Sequence, residues 1–173
     1  MSKLKIRNKF GRRYYIKECD YIQGYARFTK IIVTSKAEKL LKDKIKVVID
    51  HEEGHIKHYP VKFIITAVFL VILWYIILIK AKYLFSNLLF WISFLIFLFV
   101  VIIVVTYFDE YLCDEYAFKK GNSVKDFKDV FRIMNKPSKK LKNVLQFFTS
   151  LLCKLMHPSY KKRISRLERL TQL

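Results

Sequence analysis

Two stretches of this 173-residue chain carry no charged side chain: Phe63–Ile79, with 17 residues, and Tyr83–Phe108, with 26. As helices rising about 1.5 Å per residue they reach roughly 25 and 39 Å, against a hydrocarbon core of about 30 Å, so both predict membrane spans. The first is short for a span, and Lys62 and Lys80 at its ends extend its reach by snorkelling toward the two interfaces. Packing two helices that are apolar on every face inside a soluble shell would demand more chain than the remaining residues supply. Lys80, Ala81 and Lys82 separate the stretches, which predicts an antiparallel hairpin turning at those residues. The organisation expected is an N-terminal cytoplasmic part (1–60), a first span (61–80), a second span (83–108) and a C-terminal cytoplasmic part (109–173).

Charge sets the orientation. The chain holds 33 Lys+Arg against 14 Asp+Glu, a formal net charge of +19. Met1–Pro60 has 15 basic and 7 acidic residues, Phe108–Leu173 again 15 and 7, and three lysines lie between them. A uniform +19 would suggest nucleic acid; basic ends around an apolar middle suggest a bilayer with anionic headgroups instead, and no nucleic-acid partner. Because basic flanks stay on the cytoplasmic side, a multi-pass protein of the plasma membrane with both termini in the cytoplasm is expected. The first 20 residues have no apolar run of the kind a secretory signal needs. Cys19, Cys113 and Cys153 form no CxxC pair and read as free thiols in a reducing compartment, the latter two as small apolar fillers.

Three of the four histidines fall between His51 and His58. His51-Glu52-Glu53-Gly54-His55 is an HExxH match: on a helix, positions i and i+4 share a face, so both imidazoles can reach one Zn²⁺ while Glu52 is close enough to take a proton from water at the metal. Leu41, Ile45 and Val48 repeat at helical spacing before it, which predicts a helix from Ala37 that continues through Pro60 into the first span. His58 points off the face that His51 and His55 share and is left out of the site.

A catalytic zinc takes a third protein ligand and keeps one position open. After the second span, Glu110 and Asp114 stand at i and i+4 on one helical face. With the hairpin centred near residue 81.5, Glu110 sits level with the midpoint between His51 and His55 when both helices rise about 1.5 Å per residue. The expected metal site is therefore His51, His55 and Glu110, one Zn²⁺ per chain, with Asp114 one turn beyond to hold a ligand imidazole.

These residues resemble the membrane zinc metallopeptidases of the HtpX and CAAX prenyl endopeptidase family. Arg27–Ser35 followed by Ala37–Leu41 is similar to the family's strand and the helix leading to HExxH; Val47–His58 resembles its zinc-binding helix. Glu110–Ala117 is similar to its ExxxD helix, Gly121–Phe127 to the turn and helix after it, and His157–Leu167 to its HPxxxxRIxxL signature. The resemblance implies that His51, His55 and Glu110 bind zinc, that Glu52 is the general base, that Asp114 holds a ligand histidine, and that His157 and Arg163 lie at the cleft. It also implies a polypeptide substrate, a membrane protein in quality control among the candidates. Two further spans usual before the zinc helix are lacking here, and Glu53 replaces the usual aliphatic residue. Cys113-Asp114-Glu115 within ExxxD is similar to the BlaR and MecR sensor peptidases, so a signal-transducing metalloprotease stands as an alternative, beside a non-catalytic basic membrane protein.

The fold class expected is a mainly α integral membrane protein, a two-helix transmembrane hairpin continuous with a cytoplasmic gluzincin-like protease domain carrying a small β-strand element. A strand from Arg27 to Val33 is expected to offer its edge to an extended substrate, making Arg27, Phe28 and Thr29 candidate substrate-binding residues. Leu141–Met156, which interleaves lysines with Leu and Phe, reads as a helix lying in the interface or packed on the protease domain.

Overall fold

Phe10 and Gly11 both take positive φ (56° and 71°), the pattern of a two-residue type I′ turn, and join β1 (Leu4–Lys9) to β2 (Arg12–Lys17) as an antiparallel hairpin. The computed structural model describes residues 4–19, 22–27, 29–84, 88–134 and 157–172. Along β2, Tyr14 and Ile16 point inward and are buried while their neighbours face out, the period-two pattern of a strand with one covered face. β3 (Gly24–Arg27) and β4 (Lys30–Thr34) complete a four-stranded sheet in the order β1-β2-β4-β3, with β4 parallel to β2 and antiparallel to β3. β4 is flanked on both sides, which is why Ile31, Ile32, Val33 and Thr34 are all buried.

Thr34 ends the strand and caps α1 (Ser35–Leu41), its hydroxyl accepting from the Ala37 backbone N–H. Expected as one helix from Ala37, this region is instead broken by a 3₁₀ turn at Lys42–Lys44, where Lys42 has φ 49°. Leu41 and Ile45 are nevertheless both buried, so the helical spacing read in the sequence reports a shared core rather than one continuous helix.

α2 (Ile45–Leu84) runs 40 residues, about 60 Å, straight through Pro60, and α3 (Leu88–Lys119) runs 32. The two pack antiparallel: Gly54 lies against Cys113, and the ring of Phe69 lies 5.9 Å from that of Phe97. The turn expected at Lys80–Lys82 does not lie there, since those residues, with Tyr83 and Leu84, belong to α2. Nothing in Lys-Ala-Lys-Tyr-Leu opposes a helix. Among the described residues one helix, Phe94–Lys119, is long and apolar enough to cross a membrane, and Ile64–Ile77 within α2 is a shorter apolar stretch. Both leave large apolar side chains bare, among them Ile64, Tyr75, Leu95 and Val104.

Gly121, at φ 84°, ends α3, and Ser123 and Asp126 cap α4 (Val124–Met134) reciprocally. α5 (Tyr160–Leu170) follows, capped by Ser159. Phe127, Val130, Phe131 and Leu167 from these helices close on Tyr14, Val33, Leu41 and Ile49, a core that sits beside the HExxH turn. Phe28, Cys153 and the stretch Leu141–Met156 fall outside the described residues.

A Cβ on Gly54 would lie 2.9 Å from the Cys113 Cα and 3.1 Å from its Cβ. Gly54→Ala must therefore force α2 and α3 apart beside His55, with an expected loss of about 1–3 kcal/mol in the thermal or denaturant unfolding of the purified chain. An unchanged unfolding midpoint would show that the helices do not pass this closely.

Candidate active site

The helical turn that bears HExxH presents its imidazoles to α3. His51 and His55 meet edge to face with ring centroids 4.8 Å apart, and both Nε2 atoms lie 3.5 Å from the Glu110 carboxylate, His51 from Oε2 and His55 from Oε1. One ligand atom from each of the three residues lies within 4.8 Å of the others, the spacing of a mononuclear metal site. The far side of each ring is also held. His51 Nδ1 lies 2.9 Å from Asp114 Oδ1 and His55 Nδ1 lies 3.0 Å from Asp109 Oδ2, so that Nδ1–H can donate to a carboxylate while Nε2 stays free to bind a cation.

Glu110 is shared further. Its Oε1 is 3.0 Å from His157 Nδ1, and its Oε2 is 3.0 Å from Arg163 Nη1. Arg163 also forks onto Asp114 at 2.6 Å (Nε to Oδ2) and 2.5 Å (Nη2 to Oδ1), while its guanidinium lies over the Phe131 ring at 4.6 Å. That ring stacks in turn on Tyr160, which ties α5 to α4 behind the site. Arg163 is 7% exposed and fully engaged, whereas the side chain of His157 is half exposed at the rim.

Glu52 is buried under β3, where the Ala26 backbone N–H donates to its carboxylate. Burial pushes its pKa above the ordinary carboxylate value, against the pull of His51 and His55. Burial alone would lower both imidazole pKa values. Hydrogen bonds to Asp114 and Glu110 for His51, and to Asp109, Cys113 and Glu110 for His55, outweigh it and hold both rings above their usual value. Burial likewise acts to lower the Arg163 pKa and the Asp114 pair more than offsets it.

The residues present fit a divalent cation. Asp109, Glu110 and Asp114 surround the histidines with Arg163 as the buried guanidinium, so two negative charges are left for imidazolium or a bound ion to offset, and the histidines that titrate upward are those whose Nε2 atoms converge.

The sequence places His51, Glu52, His55, Glu110 and Asp114 together, and the structure brings them together with His157 and Arg163. The expected single strand Arg27–Val33 is instead the end of β3, a turn containing Thr29, and β4, which lies inside the sheet; Arg27 therefore sits on the edge strand β3 and Thr29 does not. The free edge beside Glu52 is β3, and Gly24 packs so close to Val48 and Glu52 that a side chain there would collide with Val48. Asp109 and Cys113 were missed. They share a helical face one residue round from Glu110 and Asp114, and the hairpin level that selects Glu110 selects them too. Cys113 Sγ lies 3.2 Å from His55 Nδ1, and His55, Asp109 and Cys113 form a second group with metal-ligand spacing. His58 stays outside both groups, its Nδ1 4.0 Å from the Cys113 sulfur and its ring edge to face with Tyr116.

An HExxH helix whose imidazoles face a carboxylate on an antiparallel partner helix, with a sheet edge laid over the intervening glutamate, defines a metallopeptidase-type site of the HExxH-plus-glutamate class. The profile of Peptidase family M48 matches residues 7–171, and the chain belongs to that family. Among solved structures, Ste24p of S. mikatae is similar in fold, with a TM-score of 0.55 and 18% identity over 90% of this chain and 45% of that one. The chain thus spans less than half of that protein's length. No curated protein matches the sequence.

Removing the guanidinium would strand a fully buried carboxylate. Arg163→Ala is expected to destabilise the chain by about 3–5 kcal/mol in urea unfolding, and Arg163→Lys, which keeps the charge and loses the fork, by less. Equal losses in the two variants would show that packing on Phe131, not the ion pair, is what Arg163 contributes.

Proposed function

We propose that this chain is a membrane-embedded zinc endopeptidase that hydrolyses polypeptides at the cytoplasmic face of the plasma membrane, with misfolded membrane proteins as its substrate class. The observation that carries the reading is the convergence of His51, His55 and Glu110 beside a buried Glu52. His51, His55 and Glu110 hold one Zn²⁺ per chain. When bound, the ion supplies a Lewis acid that polarises a peptide carbonyl and brings the pKa of water there toward about 7.

The remaining chemistry belongs to side chains. Glu52, its pKa raised by burial, takes the proton from the attacking water and returns it to the leaving amine. Asp114 and Asp109 fix the tautomers of His51 and His55 by accepting from Nδ1–H. Arg163 positions Asp114 and Glu110 from behind and, being buried, has no route to substrate. His157, half exposed at the rim beside Glu110, donates to the oxygen on which charge develops. An extended polypeptide adds to the free edge of β3, with Arg27 at the end of that edge and Thr29 in the turn after it, so main-chain pairing gives affinity with little sequence preference.

The bare apolar side chains of α2 and α3 support the membrane reading, since a soluble surface does not leave Leu95, Ile96, Val100 and Val104 uncovered together. The basic residues at both ends support the cytoplasmic placement of the termini.

Glu52→Gln is isosteric and cannot accept the proton. It is expected to retain zinc at about one ion per chain, measured by elemental analysis, and to cleave casein or itself at no more than about a hundredth of the wild-type rate. A chelator should abolish cleavage by the wild type, and added Zn²⁺ restore it. Wild-type cleavage by Glu52→Gln would contradict the assignment of the base.

A further inference from the structure

Beyond the active site, α5 turns a strongly basic face toward the end of the candidate span. Tyr111, Lys161, Lys162, Ser165, Arg166 and Arg169 line a cavity of about 370 Å³, within the size range of small-ligand sites. Four of those six residues are cations and none is acidic. Arg166 lies over the Tyr111 ring at 4.9 Å, its Nη2 is 3.6 Å from Glu115, and its Nε is buried without a hydrogen-bond partner among the described residues. Among the described residues, one weak ion pair leaves the lining with a large uncompensated positive charge.

The position of the cavity identifies what could answer that charge. Phe97, Val100, Val104 and Phe108 are exposed and repeat every three or four residues along one side of α3, and Tyr111 is the next residue on that side. At about 1.5 Å per residue, Tyr111 stands roughly 4.5 Å beyond Phe108 along the axis. The apolar stripe ends where a tyrosine and then four basic side chains begin, the order met when passing from hydrocarbon to headgroups.

We propose that this cavity binds the phosphodiester of an anionic lipid headgroup, with Lys161, Lys162, Arg166 and Arg169 as its charged partners and the Tyr111 ring as the platform that holds Arg166. The site would seat α5, and with it Arg163 and the nearby His157, at a fixed depth relative to the bilayer. The proposal rests on the membrane reading of α3.

The test uses the full chain purified in a non-ionic detergent, with lipid binding followed by native mass spectrometry. Phosphatidylglycerol should bind at least about tenfold more tightly than zwitterionic phosphatidylcholine, and Lys161→Gln/Arg166→Gln/Arg169→Gln should lose that preference. Removing the same charge elsewhere, as Lys36→Gln/Lys39→Gln/Lys42→Gln, should leave it intact. Arg169→Glu alone, at the exposed rim, should weaken binding without loss of helical circular dichroism. Equal binding of the two lipids, or an equal loss in the α1 triple variant, would overturn the site. Displacement of the lipid by millimolar inorganic phosphate would overturn the lipid assignment in favour of free phosphate. A wild-type chain that remains monodisperse without detergent would contradict the membrane reading itself, which distinguishes that failure from failure of the cavity.

Discussion

Where Gly54 passes Cys113, the backbones of α2 and α3 come so near that an added Cβ would lie 2.9 Å from the opposing Cα. That approach fixes the separation of the helices and their level at one point, and the donors lie within a turn on either side. His55 is thereby brought to Asp109 and Glu110, and His51 to Glu110 and Asp114. Two long helices with interchangeable apolar surfaces could slide past one another at little cost; a glycine set against a buried cysteine gives them one register. Phe69 against Phe97 continues the same pairing further along.

The cluster so formed is costly, because charges removed from water are repaid only if each finds a partner. Each carboxylate around the histidines meets a ring nitrogen or Arg163, and Arg163 fastens α5 to the site through Asp114 and Phe131. A second buried charge steadies the other side of the HExxH turn. Asp50, fully buried, receives Arg12 from β2, Lys46 at 2.9 Å and the Asn122 amide at 2.7 Å, while Arg12 also reaches Glu53. The residues that bracket His51 and Glu52 are therefore tied both to the sheet and to the turn after α3.

The site was legible in the sequence to a greater degree than the fold around it. His51, Glu52, His55, Glu110 and Asp114 follow from two i, i+4 patterns and a level calculation, because helix geometry converts spacing into position with little error over a turn or two. Asp109 and Cys113 were hidden by reading a single face of α3. The sheet was visible only as β4: β1 offers one short alternation, Leu4 and Ile6, among basic residues, β3 is four residues with no apolar run, and a parallel β2–β4 pairing leaves no local signal. Ile31–Val33 are strongly β-forming and mark β4, but nothing in Arg27–Thr29 marks the turn that separates β4 from β3, so Arg27 falls on a different strand and Thr29 on none. α2 runs past Lys80 and Lys82 because lysines are good helix formers, so a break in apolar composition there is not a break in the helix.

The central claim is that His51, His55 and Glu110, rather than His55, Asp109 and Cys113, hold the metal. X-ray absorption at the zinc edge of the purified chain separates them directly. The account predicts a first shell of nitrogen and oxygen alone, at about 2.0–2.2 Å, with the multiple-scattering signature of two imidazoles. A sulfur scatterer at about 2.3 Å would place the ion on Cys113 and contradict it.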